Sequence, residues 1–124
     1  MTDADVPGCL ALNPAEASFR PHDLFGDPMP GIARMPVDFN AETRVGSFPV
    51  RLDPCSRSLP HAHSGGGDSF ILEGERVDGD GRRFGPGDIV SCRAGSRHAS
   101  QSPRGCSILV FLHGPNPVLG PQEP

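Results

Sequence analysis

Leu59-Pro60-His61-Ala62-His63, followed after a glycine corner at Gly65-Gly66-Gly67 and several turns by Gly95-Ser96-Arg97-His98, is the pair of segments on which the fold turns. Alternate residues of an extended strand point to one face, so a strand through His61-Ala62-His63 sets two imidazoles side by side. A third imidazole from a distant strand, His98, can close a coordination sphere, because neutral imidazole is a common ligand for transition metals. The pattern predicts a metal site on a small β-barrel, with His61, His63 and His98 as the ligands.

Outward from these segments the apolar residues fall in short runs bounded by Gly, Pro, Asp or Ser, the punctuation of an all-β chain with many turns. Val45, Phe48, Val50 and Leu52 predict a strand that ends at Asp53-Pro54. Ser69 to Glu73 predicts a strand ended or bent at Gly74, with Glu75 to Val77 continuing toward Asp78-Gly79-Asp80-Gly81. That acidic run reads as a hairpin turn and not as a calcium loop, since the later ligands and closing Glu of such a loop are missing. Ile89 to Cys92 follows the Gly85-Pro86-Gly87-Asp88 turn. Cys106 to His113 is the longest apolar run and is expected to be a strand buried on both faces. Strands so closely spaced, without an amphipathic helix, imply a sandwich or barrel. The expected organisation is an extended, partly docked N-terminal arm over residues 1–40, a barrel over 41–113 and a loose tail over 114–124.

Sixteen Gly and fifteen Pro make up a quarter of the 124 residues, yet the clustering of the apolar residues favours a single folded domain. The net charge of −4 and the lack of a basic stripe argue against a nucleic-acid partner. All eleven cations are Arg, and Tyr and Trp are absent, which excludes Schiff-base chemistry and any tyrosine acid, base or radical. No window approaches a membrane span and no signal-peptide pattern opens the chain, so the expectation is a cytoplasmic protein with no membrane partner. The four Cys (Cys9, Cys55, Cys92, Cys106) show no paired metal or redox spacing and are expected to be reduced, mostly buried fillers.

Taken together the residues resemble the cupin family. The spacing of its first motif is kept through Cys55, His61, His63, Gly67 and Gly74, and that of its second through Gly87, Arg93, Gly95, His98 and Ser102. Cys55, Gly67, Arg93 and Ser102 depart from the family's residue types. Leu59 to Gly66, Leu72-Glu73-Gly74, Gly95 to His98 and Gly105-Cys106 are similar to the ChrR-like group, which includes anti-sigma-factor and dioxygenase-like proteins.

The resemblance implies a small jelly-roll barrel that binds a divalent transition metal (iron, zinc, manganese or nickel) through His61, His63 and His98, and that dimerises. The family's carboxylate ligand falls on Gly67, which has no side chain. Asp68 is the nearest carboxylate; on a regular strand it faces the opposite way, whereas a bulge made possible by the glycines would turn it inward. A sphere of three histidines plus water is neutral and favours an anionic or chelating oxygen ligand.

Two functions follow from the resemblance: a metal-dependent dioxygenase acting on a diketone-like small molecule, or a non-enzymatic cupin that binds metal or ligand for sensing. A metal-free scaffold is a third outcome. Ser100 should share the inward face of His98, His113 is expected to be solvated or packed, Glu73 and Asp88 to serve turns, and His22 belongs to no constellation.

Overall fold

Antiparallel pairing organises the chain throughout the residues that the computed structural model describes, which are 11, 13–15, 18–22, 29–35, 37–58 and 60–115. Among them there are thirteen strands and no helix. In chain order these are β1 (Arg20–Pro21), β2 (Ile32–Arg34), β3 (Asp38–Asn40), β4 (Val45–Leu52), β5 (Ser56–Arg57), β6 (His61–His63), β7 (Gly67–Gly74), β8 (Arg76–Asp78), β9 (Arg83–Phe84), β10 (Ile89–Cys92), β11 (Ser96–His98), β12 (Ser100–Ser102) and β13 (Cys106–His113).

A seven-stranded sheet takes the order β1-β2-β4-β13-β7-β10, with β3 also paired to β4. A four-stranded sheet runs β5-β12-β8-β9, and β6 and β11 form a separate two-stranded ribbon. The result is all-β, as the punctuation of the sequence predicts, and a jelly roll, as the resemblance implies. Residues before 41 supply β1, β2 and β3 to the large sheet, and Met29 and Ile32 to the core. Of the C-terminal tail only Gly114 and Pro115 lie within the described residues, and Cys9 lies outside them.

Alternation decides which side chains enter the interior. Phe48, Val50 and Leu52 of β4, Ile71 of β7, and Cys106, Ile108 and Leu112 of β13 form one buried cluster with Met29 and Ile32. Phe48 and Ile71 are 1% and 0% exposed, and burial of such a side chain contributes about 1.5–3 kcal/mol each. The spans expected for β4, β10 and β13 match the structure, but β13 is not buried on both faces. Cys106, Ile108 and Leu112 point inward, whereas Phe111 is 39% exposed and His113 lies at the surface. β13 sits between β4 and β7 in an antiparallel sheet that has one face on the core and the other toward solvent.

The turns follow local chemistry. Asp78-Gly79-Asp80-Gly81 is a hairpin between β8 and β9, closed by the Gly81 N–H on the Asp78 carbonyl and by the Arg82 N–H on the Asp80 carboxylate. The Asp88 carboxylate accepts the Gly85 N–H at 2.8 Å and fixes the turn before β10. Glu73 serves no turn; it lies exposed on β7 opposite Ser107. Leu72 is bulged where β7 meets β13, because Glu73 pairs with Ser107 while Ile71 pairs with Ile108.

Candidate metal centre

β6 and β11 pair so that His61 stands directly opposite His98, while His63 lies two residues along from His61 on the same face. The ring centroids are 5.0 Å apart for His61 and His63, 4.6 Å for His61 and His98, and 4.7 Å for His63 and His98. One nitrogen from each ring lies within 4.8 Å of the others. His61 and His63 are buried at 6% exposure, and His98 is partly buried. Three neutral imidazoles gathered this closely in the interior fit a divalent transition metal, and the donor set is one that zinc, iron, manganese or nickel accepts.

Behind His98 stands a buried polar network. Nδ1 of His98 lies 3.3 Å from Oδ2 of Asp78, and the Ser100 hydroxyl donates to Oδ1 of Asp78 at 2.9 Å. Arg76, itself 4% exposed, places Nε 3.0 Å from Oδ1 of Asp78 and donates from Nη1 to the Ser69 hydroxyl at 2.8 Å. Its guanidinium carbon lies 5.1 Å from the centre of the Phe84 ring. Burial pushes the Asp78 carboxyl up, but the His98 hydrogen bond, the Arg76 charge and the Ser100 hydroxyl outweigh it and hold the pKa at about 2. An ionised carboxylate only accepts hydrogen bonds, so the contact suits Nδ1 of His98 as the donor and leaves Nε2 as the nitrogen that would hold a metal.

Gly67 opens onto the same interior. A Cβ built on it would lie 3.5 Å from Nδ1 of His63, so the position faces the histidines although it can offer no ligand. Asp68 does not replace the missing carboxylate. It points to the outer face, where Ser91 donates to Oδ1 at 2.6 Å and Nε2 of His113 lies 3.5 Å from Oδ2. The Ser91 hydrogen bond is the main reason its carboxyl sits below the usual range; slight burial opposes this and His113 reinforces it. The strand stays regular at this point, and the one-residue offset turns the side chain away.

The histidines border a cavity of about 90 Å³, roomy enough for several waters or a small organic molecule. Phe48, Val50, Ile108 and Leu112 make its apolar wall, and Ser69, Arg76 and Ser100 add polar groups. Ser100 thus lines the interior as expected, with its hydroxyl committed to Asp78. His113 takes no part and is exposed. Burial raises the Cys92 and Cys106 thiols, in keeping with inert fillers, but Cys55 is exposed instead of buried.

Three residues of this region escape a reading of the sequence. His22 is 5% exposed, packs its ring 5.8 Å from that of Phe48 and lines the cavity. Arg76 and Asp78 are buried, and their i, i+2 spacing on one strand is the only signal that could have linked them.

Residues 10–116 match the family described as the ChrR cupin-like domain. No curated protein matches the chain. Among solved structures, a candidate acetylacetone dioxygenase from Methylibium petroleiphilum aligns with a TM-score of 0.77 at 16% identity, over 93% of this chain and 83% of that one. An acetylacetone dioxygenase from Acinetobacter johnsonii aligns with a TM-score of 0.67 at 19% identity, over 94% and 86%. The Rhodobacter sphaeroides complex of SigE with the anti-sigma factor ChrR gives a TM-score of 0.61 at 19% identity, over 79% of this chain and 49% of that one. With most of its length covered by the family match and its strands folded as a jelly roll around three convergent histidines, the chain belongs to the ChrR cupin-like family.

Proposed function

We propose that His61, His63 and His98 hold one divalent transition metal, and that the protein is a small metal-dependent dioxygenase acting on a diketone-like oxygen chelator. The observation that carries this reading is the convergence of three buried imidazoles on a cavity with an apolar wall. When bound, a metal such as iron supplies Lewis acidity toward chelating oxygens and the redox chemistry of an oxygenase.

The chain's own residues orient and exclude. Asp78 holds His98 in one tautomer, Arg76 and Ser100 hold Asp78, and Phe48, Val50, Ile108 and Leu112 keep the substrate side of the cavity dry. The likeness in fold to an acetylacetone dioxygenase and to a candidate one supports the choice of substrate class. The test is oxygen uptake by iron-loaded protein over a panel of diketones, with His98→Ala as control. Substrate-dependent uptake lost in the variant is expected, and no uptake across the panel removes the enzymatic reading.

The family match to ChrR favours a second reading, a non-enzymatic cupin that binds metal or ligand for regulation. A sigma-factor pull-down whose yield follows metal loading would support it. Metal content after purification without chelators or histidine tags, compared with His61→Ala, tests the premise shared by both readings; equal content in the two proteins would remove the metal site. The exposed edge strand β10, with Ile89 72% exposed, supports the further expectation of a homodimer, which sedimentation analysis would test. Among the described residues no helix is long and apolar enough to cross a membrane.

A further inference from the structure

The inner face of β7 presents Gly67, Ser69 and Ile71 in succession. The gap at Gly67 is built into the pairing of β7 with β13. A Cβ there would lie 3.0 Å from the Phe111 carbonyl oxygen and 3.2 Å from Cδ2 of Leu112, so the neighbouring strand itself disfavours a side chain. What faces His63 at this point is bare backbone on the wall of the cavity.

The charges around this gap are unbalanced once a divalent cation is present. The three imidazoles are neutral ligands. Asp68 and Asp78 are both committed elsewhere: Asp68 to Ser91 and His113 on the outer face, and Asp78 to Arg76, Ser100 and His98 behind the site. Arg76 is matched by Asp78, so this buried pair adds no net charge. A divalent ion at the histidines therefore keeps its full charge in a low-dielectric interior, where an anion is strongly favoured.

We propose that the space in front of Gly67 is a carboxylate subsite: a small carboxylic acid enters it and supplies from outside the anionic oxygen that the chain withholds. The inference rests on the metal reading above and extends the ligand class from diketone enolates to small carboxylates, with both competing for one position. Arg76 and Ser69, one inward residue further along β7, present hydrogen-bonding groups on the same wall of the cavity.

The test uses the full chain loaded with cobalt(II), whose visible spectrum reports changes among its ligands, titrated with acetate and separately with perchlorate at equal ionic strength. Acetate is expected to change the spectrum saturably, perchlorate to leave it unchanged, and acetylacetone to compete with acetate. Gly67→Ala, whose methyl would press on the Phe111 carbonyl and Leu112 and approach His63, should weaken acetate binding to the cobalt-loaded protein by about tenfold or more through overpacking. The wild-type titration stands without the variant: a spectrum indifferent to acetate overturns the subsite and leaves the metal reading intact. Equal acetate affinity in a folded Gly67→Ala protein overturns it likewise. Failure of the wild type to bind cobalt through its histidines removes both.

Discussion

Nδ1 of His98 lies 3.3 Å from Oδ2 of Asp78, and the same carboxylate meets the buried guanidinium of Arg76 at 3.0 Å. The candidate metal centre is thereby tied to the four-stranded sheet, because Asp78 ends β8 and Ser100, which also holds it, begins β12. Removing the carboxylate should affect both function and stability. Asp78→Asn is expected to lower metal affinity by about 10–100-fold, since His98 loses the group that fixes its tautomer. Competition against a chromophoric chelator measures this. Asp78→Ala, which also leaves Arg76 buried without its counter-charge, should cost about 3–5 kcal/mol in urea unfolding. Adding Arg76→Met should recover much of that loss.

The same carboxylate makes stability depend on acid. Its pKa in the folded protein is about 2, against an ordinary value of 3.8, so the folded state favours the ionised form. The stabilisation is complete above the ordinary value and is lost as pH falls through the folded one; its size is about 2 kcal/mol. Urea midpoints of metal-free protein, measured in chelator from pH 5 down to pH 2, should fall across this window. Asp78→Asn should show a shallower fall, and an identical slope would contradict the assignment.

Metal should stabilise the fold through the histidines and nowhere else among the described residues. At a free concentration one hundred times the dissociation constant, zinc is expected to add about 2.7 kcal/mol, seen as a higher melting temperature that chelator reverses. His63→Ala should abolish the increment. An equal increment in that variant would place the metal elsewhere.

Two glycines at matching places of the family pattern differ in what surrounds them. Gly74 has φ of +81°, and a Cβ there would overlap the carbonyl oxygen of Gly105 and approach Cα of Cys106 at 2.7 Å. Gly87 has φ of +91° with open space around it. Gly87→Ala should therefore cost only the left-handed strain of about 1–2 kcal/mol. Gly74→Ala adds a clash between paired backbones and should cost about 3 kcal/mol or more. Chemical denaturation of the two variants ranks them, and the reverse order would mean that the close approach of Gly105 is wrong.

The histidine trio was legible because a period of two on a strand is a local rule, and because its spacing to His98 follows a family pattern. β10 and β13 were legible for a similar reason, with turn residues bounding them on both sides. Asp78 was not. It sits in an Asp-Gly-Asp-Gly string whose local chemistry announces a turn, and the turn is real; only the pairing of β12 with β8, which sets Ser100 against Asp78, buries the carboxylate. Arg76 and His22 are similar cases, since nothing adjacent in the chain shows that a long polar side chain will be enclosed. The run in β13 suggested burial on both faces because its apolar residues are unbroken, yet among the described residues no sheet covers the second face.

Asp68 and Asp78 offer the sharpest contrast for experiment, because Asp68 lies five residues after His63 in the chain yet faces away, whereas Asp78 lies far from the ligands in sequence and meets His98 in space. Asp68 lies beside the empty carboxylate position, but its side chain is 42% exposed and is held by Ser91 and His113 on the outer face. Asp68→Asn should leave metal content unchanged and affinity within about twofold, and should cost no more than about 1 kcal/mol of stability. If instead Asp68→Asn lost metal while Asp78→Asn kept it, the strand would have to bulge at the triple glycine and turn Asp68 inward. That outcome would also close the gap in front of Gly67, because an inward Asp68 would supply the anionic oxygen for which the cavity otherwise waits on a ligand. Metal affinities of the two variants, measured side by side, therefore decide whether the site is completed by the chain or from outside it.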